Sequence, residues 1–187
     1  TLEVVQVLKA LSPTTRVILG GPEVTYETEE QEICRLADHV ICGEADFMFR
    51  ETCEALLQGK PLPKILHTDR PPEISEIQLP YALYTEEDIR NRVIYVEASR
   101  GCPYKCEYCL SSLDKSVRTF PLENFLAEMR TLLERGARQF KFVDRTFNLS
   151  ISTSRQILEF FLEHIQPGLF LHFEMVPDRL PLELREV

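Results

Sequence analysis

The sequence predicts an α/β chain in two parts, on three observations. Short apolar or β-branched runs end in glycine turns, amphipathic stretches with a helical period alternate with those runs, and a proline-rich interval separates two rounds of the pattern. In the first round Leu2, Val5, Leu8 and Leu11 repeat with helical spacing, Val4 and Val7 lie beside them, and Ser12-Pro13 ends the helix. Arg16 to Leu19 reads as a strand, and Gly20-Gly21-Pro22 as a turn where backbone can approach another molecule closely. A helix over Glu29 to Leu36, a strand over His39 to Cys42, a turn at Gly43-Glu44 and an amphipathic helix from about Asp46 to Gln58 repeat the unit. Two strand-helix units in succession imply a parallel sheet.

Between Gly59 and Arg92 the periodicity fades, and five of the chain's 12 prolines fall there: Pro61, Pro63, Pro71, Pro72 and Pro80. Proline removes backbone donors and fixes φ, so residues 61–91 read as an ordered, irregular linker between a part spanning 1–60 and a part spanning 92–187. The second round opens with a strand from Val93 to Glu97 and a cysteine-bearing loop. From Pro121 to Arg135, Leu122, Phe125, Leu126, Met129, Leu132 and Leu133 form one stripe, with Gly136 as the stop. A strand over Gln139 to Val143 precedes a helix starting near Ser154, where Thr153 and Gln156 have capping-box spacing. Pro167-Gly168 closes that helix, Leu169 to Met175 forms a third strand, and Pro181 opens a further helix. Right-handed crossovers are expected between the parallel neighbours. Three parallel strands cannot close a barrel, so the polypeptide reads as cut at both ends.

Composition narrows the function classes. The chain has 187 residues, 44% hydrophobic and 27% charged, enough apolar material for an ordinary core. No apolar run approaches the roughly 18 residues that cross a bilayer, and no signal-peptide pattern follows Thr1, so no membrane partner is expected and the chain reads as cytoplasmic. Thirty acidic against 21 basic residues give a net charge of -9, which repels phosphate backbones, so nucleic acid is not an expected partner. Around the cysteine loop the balance reverses: Arg92, Arg100, Lys105, Lys115 and Arg118 outnumber Glu97, Glu107 and Asp114. That patch reads as a solvated face of mixed charge, or as a surface meeting an anionic cofactor or acidic electron donor.

Six cysteines without a secretory signal point to thiol or metal chemistry rather than a disulfide framework. Three of them lie within eight residues, in Arg100-Gly101-Cys102-Pro103-Tyr104-Lys105-Cys106-Glu107-Tyr108-Cys109, spaced C-x3-C-x2-C. Thiols this close in sequence, on a loop kinked by glycine and proline, can converge on one small inorganic object. Three thiolates do not complete a four-ligand zinc site, nor the four-cysteine shell of an electron-transfer cluster. On a 4Fe-4S cluster they leave one iron open to a small molecule. The competing reading is a zinc- or iron-sulfur-binding structural or electron-transfer module, with His39, His67, His164 or His172 as a distant fourth zinc ligand. None of these histidines has a neighbouring Cys or His at zinc-finger spacing. Cys34, Cys42 and Cys53 read as core packing.

Cys102, Cys106 and Cys109, with the aromatic Tyr108 before the last cysteine, resemble the signature of the radical S-adenosylmethionine (radical SAM) family, whose cysteine loop follows the first strand of a partial (β/α) barrel. The resemblance implies a 4Fe-4S cluster on these three residues, with SAM chelated by the open iron through its amino and carboxylate groups and Tyr108 beside the adenine. Reductive cleavage of SAM would then release methionine and a 5'-deoxyadenosyl radical that attacks a small-molecule substrate, with a flavodoxin- or ferredoxin-type protein as electron donor. Arg16 to Glu23 and His39 to Glu44 resemble the second half of the cobalamin-binding domain that precedes many radical SAM cores, which implies that Gly20 and Gly21 approach the nucleotide tail of cobalamin. The implied architecture is a partial Rossmann-like, cobalamin-domain-like βα unit, followed by the first three strands of a radical SAM (β/α) partial TIM barrel. The D-x-H-x-x-G element of that cobalamin domain is absent, since Asp38 and His39 are adjacent; the chain then holds part of a cobalamin site, or its parent binds none. Asp144 and Glu174, at the ends of the second and third barrel strands, stand where barrel enzymes bind ligands and are candidates for SAM or substrate contact. A loop cap, or a salt bridge to Arg145 or Arg179, is the alternative for each. Val143-Asp144-Arg145 stands where many radical SAM proteins carry Gly-Gly-Glu.

Overall fold

The structure, a computed structural model, describes residues 1–113, 116–177 and 180–185. The chain divides into two units, Thr1–Ile77 and Gln78–Val187. The division falls inside the proline-rich stretch.

The first unit contains α1 (Leu2–Leu11), β1 (Ile18–Gly20), α2 (Pro22–Thr25), α3 (Glu32–Leu36), β2 (His39–Cys42), α4 (Met48–Leu57) and β3 (Ile65–His67). Its sheet is parallel in the order β1-β2-β3, with Ile18 opposite His39 and Val40 opposite Ile65. Every residue of the central strand β2 is buried, as a parallel strand covered on both faces requires. Val5, Val17, Val24, Cys34, Val40 and Cys42 pack in one core, so Cys34 and Cys42 fill space as expected; Cys53 is half-buried. Asp38 fastens the entry to β2. Its carboxylate accepts from the Val17 N–H at 2.7 Å and from Arg16 Nη1 at 3.0 Å, and pairs with Lys9.

Two sequence expectations change here. α3 starts at Glu32 rather than Glu29, because side chains hold the preceding turn: Gln31 Nε2 donates to the carbonyls of Glu23 and Tyr26, and Arg35 to those of Glu29 and Glu30. The irregular stretch also hides β3. Three residues flanked by prolines carry no measurable period, and the partner that makes them a strand is β2, 25 residues earlier in register.

The second unit contains α5 (Glu86–Asn91), β4 (Ile94–Val96), β5 (Ser99–Arg100), β6 (Arg118–Thr119), α6 (Leu122–Glu134), β7 (Gln139–Phe142), α7 (Ile151–Glu163), β8 (Phe170–His172) and α8 (Leu182–Arg185). A parallel sheet runs in the order β4-β7-β8, and β5 and β6 pair antiparallel. α6 buries Phe125, Met129, Leu132 and Leu133, the stripe its spacing predicts. α7 begins three residues earlier than expected. Ser150, not Thr153, caps it, because the Ser150 side chain accepts the Thr153 N–H while Gln156 Nε2 donates to the Ser152 carbonyl. α5, unanticipated from the sequence, has a full capping box between Thr85 and Asp88.

Burial alternates along this sheet. Ile94, Val96, Phe140 and Phe142 face the core with α6 and α7, whereas Tyr95, Gln139 and His172 are exposed. Phe142 is the hub, with ring centroids 4.5 Å from Phe173, 5.5 Å from Phe147 and 5.8 Å from Phe125. The free edge of β4 is served by two tyrosines. Tyr81 Oη accepts from the Glu97 N–H at 2.8 Å and donates to the Glu97 carbonyl, and Tyr84 Oη does the same at Tyr95, at 3.2 Å each way. Phenol hydroxyls thus stand in for a neighbouring strand. Burial pushes the Tyr81 phenol far above its ordinary value. The described strands form no closed barrel. No helix among the described residues is long and apolar enough to cross a membrane.

Candidate metal and cofactor site

The cysteine loop springs from the C-terminal end of β4 and is tied shut at its root. β5 pairs with β6, Ser99 opposite Thr119 and Arg100 opposite Arg118, so the two stems that flank the cysteine segment are joined by hydrogen bonds. Gly101, at φ +93°, makes that closure possible. A Cβ there would stand 1.6 Å from the carbonyl oxygen of Ser116, so only glycine lets the two stems approach.

Asp144, just past β7, fixes the same root from the other side. Its Oδ2 accepts from the Ala98 N–H at 3.0 Å and its Oδ1 from the Ser99 hydroxyl at 2.6 Å. The side chain is buried. Burial pushes its carboxyl above the ordinary value, against the Ser99 and Ala98 hydrogen bonds, which favour the charged form. Asp144 is therefore a brace between β7 and the cysteine-loop stem. Beside it opens a cavity of about 100 Å³, lined among others by Ser99, Thr119, Thr146, Phe147 and Ser154. That is well below the roughly 300 Å³ at which small-molecule pockets begin. It has room for a few waters.

Cys102, Cys106 and Cys109 are free thiols, each half-buried. The Cys109 N–H donates to the Cys106 carbonyl at 3.0 Å, so the last two sit on one hydrogen-bonded turn, and Cys102 Sγ lies 3.5 Å from Thr146 Oγ1. Among the described residues no three Cys, His, Asp or Glu side chains are gathered at metal-binding spacing. The donor set itself suits iron and sulfide: three soft, accessible thiols on one loop with a closed stem. Tyr108 projects into solvent, 93% exposed. Glu174 is also exposed, and its backbone carbonyl accepts from Phe147 N–H at 2.8 Å. Arg179, weighed as its partner, lies outside the described residues, as do Asp114 and Lys115 of the charged patch. Within that patch Arg92 pairs with Asp88 at 3.2 Å and Arg100 with Glu97 at 2.9 Å.

In the first unit, Gly20 ends β1 and Gly21 turns the chain into α2 at φ +106°, with open space where a Cβ would be. Thr25 links this turn to the next strand's end, donating to the Gly21 carbonyl and accepting from the Gly43 N–H at 3.2 Å. His39 stands at the opposite end of β2, where its Nδ1 bonds the Pro63 carbonyl at 2.8 Å. His164 Nδ1 likewise bonds the Phe160 carbonyl.

Sequence reasoning missed Ser99 and Thr146. Both are small hydroxyl residues near singled-out positions, but only the meeting of β7's exit with β4's exit gives them partners.

No family model matches the chain. It is similar to curated methyltransferases: 30% identical over 171 positions to an uncharacterized methyltransferase of Pyrococcus horikoshii, covering 79% of this chain and 37% of that one. It is 27% identical over 100 positions to bacteriochlorophyllide d C-8(2)-methyltransferase of Chlorobaculum tepidum, covering 51% and 22%. A third relative, an uncharacterized methyltransferase of Synechocystis, is 30% identical over 134 positions, covering 70% and 24%. The chain thus spans well under half the length of each curated relative. Among solved structures it superposes on TsrM, a radical SAM methyltransferase from Kitasatospora setae. The structure with tryptophan and a SAM analogue bound matches with a TM-score of 0.71 at 17% identity, covering 98% of this chain and 41% of that one. The structure with cobalamin and a [4Fe-4S] cluster bound matches with a TM-score of 0.68, at the same identity and coverage. The chain therefore has the α/β fold, with parallel sheets, of the matched part of TsrM.

Proposed function

We propose that the chain is part of a radical SAM methyltransferase, in which Cys102, Cys106 and Cys109 would hold a 4Fe-4S cluster that would bind SAM. The observation that carries this reading is the C-x3-C-x2-C loop at the C-terminal end of the first strand of a parallel sheet, its stem closed by Gly101, β5–β6 and Asp144. When bound, the cluster would supply the electron that cleaves SAM into methionine and a 5'-deoxyadenosyl radical, renewed by a flavodoxin- or ferredoxin-type donor.

Each residue then has a part. The three thiolates ligate iron, and half-burial leaves them open to it. Tyr108 offers an exposed ring to the adenine, and Glu174 an exposed carboxylate to an amino group of SAM or substrate. Asp144 holds the loop root in place. The turn at Gly20-Gly21, open at Gly21, would line part of a cobalamin site. The names of the relatives favour methyl transfer to a small molecule as the reaction of the whole protein.

The test is anaerobic reconstitution with iron and sulfide. About four irons per chain, lost in air and lost in Cys102→Ala, are expected, with 5'-deoxyadenosine formed from SAM on reduction. One tightly held zinc per chain, indifference to oxygen and no iron uptake would instead establish the structural metal module.

A further inference from the structure

We infer that Thr146 is a positioning residue for the cluster site, whose hydroxyl donates a hydrogen bond to the sulfur of Cys102 and raises the reduction potential of the cluster held there. The inference rests on the cluster reading above and deepens it.

Thr146 is 5% exposed, and its Oγ1 lies 3.5 Å from Cys102 Sγ, within the range of a hydrogen bond to sulfur. A hydroxyl removed from water needs a partner. In the free thiol either atom can donate; a sulfur bound to iron has no proton, so the threonine must. The donor cannot drift, because its segment is clamped. Asp144, two residues earlier, grips Ala98 and Ser99 at the loop root. Phe147, the next residue, donates its N–H to the Glu174 carbonyl at 2.8 Å and packs its ring against Phe142 and Phe173, with centroids 5.5 and 4.1 Å away. The Thr146 carbonyl accepts from Leu149 N–H. The connection after β7 thus holds the root of the cysteine loop with one side chain and touches its first sulfur with another. A hydrogen bond to a ligating sulfur draws electron density from the cluster and stabilises the reduced state.

The experiment compares Thr146→Val, Thr146→Ala and Thr146→Ser with the unmodified chain after anaerobic reconstitution, by iron content and by redox titration followed by electron paramagnetic resonance. Thr146→Val and Thr146→Ala should keep about four irons. At a fixed potential their oxidised-to-reduced ratio should rise about tenfold, a midpoint lower by about 59 mV for a one-electron couple. Thr146→Ser should restore the midpoint. Two deletions of different bulk keep the test alive if one misfolds, which circular dichroism would reveal. Equal midpoints in all four proteins would overturn the inference and leave the cluster intact. Loss of iron from folded Thr146→Ala would also overturn it, by marking a structural role. Failure of the unmodified chain to take up iron would remove the cluster reading and the inference together.

Discussion

Gly101 and Asp38 show how much one position can decide. At Gly101 a left-handed backbone coincides with a contact that any side chain would violate, 1.6 Å from the Ser116 oxygen. Gly101→Ala should cost about 2–4 kcal/mol and open residues 101–117 to proteases, as denaturant titration and limited proteolysis would read. Asp38 gives a pH dependence. Burial opposes its ionisation, but the Lys9, Val17 and Arg16 contacts outweigh it and hold the carboxyl down at about 2. The unfolded carboxyl titrates near about 4. Its contribution is therefore complete above about pH 4 and is lost as pH falls toward 2, because the unfolded chain binds the proton first. Denaturation across that range should show a steeper acid limb for the unmodified chain than for Asp38→Asn, which should also lose about 1–3 kcal/mol at neutral pH.

Among the elements, helices and strands differ in how plainly the sequence announces them. α6 is legible because Phe125, Met129 and Leu132 repeat within one element and need no outside partner to be recognised. β3 is illegible for the opposite reason, since three residues are a strand only by virtue of β2. The N-terminus of α7 falls between these cases: Ser150 and Thr153 both carry capping hydroxyls, and backbone geometry selects the first. The edge of β4 is a sharper instance. Nothing in Pro80-Tyr81-Ala82-Leu83-Tyr84 announces that two phenols will bridge Glu97 and Tyr95. Tyr81→Phe leaves the Glu97 N–H and carbonyl without that buried partner and should cost about 1–3 kcal/mol. Tyr84→Phe, at a more exposed bond, should cost less. Urea denaturation of the two variants would rank them, and equal losses would refute the distinction.

Among the described residues, buried hydrophobic side chains cluster around Val40 in the first unit and around Phe142 in the second. Phe142→Ala removes a fully buried ring touching Phe125, Phe147 and Phe173, and should cost about 3–5 kcal/mol. Hydrogen exchange should report the loss at the amides of β4, β7, α6 and α7, which pack around that ring. Because Phe147 leans on Phe142 and adjoins Thr146, the same variant should also loosen the cysteine-loop root.

Order along the chain was enough to establish the parallel α/β class, the major helices and the thiol trio, since period, turn residues and the spacing of Cys102, Cys106 and Cys109 are all local properties. The bracing of that trio was not. Gly101 against Ser116, Asp144 against Ala98 and Ser99, and Thr146 against Cys102 join residues 15 to 46 positions apart, and each contact exists only where strand ends meet in space. Chemistry-bearing side chains can be read from a line of letters because their reactivity travels with them. Their supports belong to the fold, because a hydrogen bond or a steric limit depends on distance through space rather than distance along the chain.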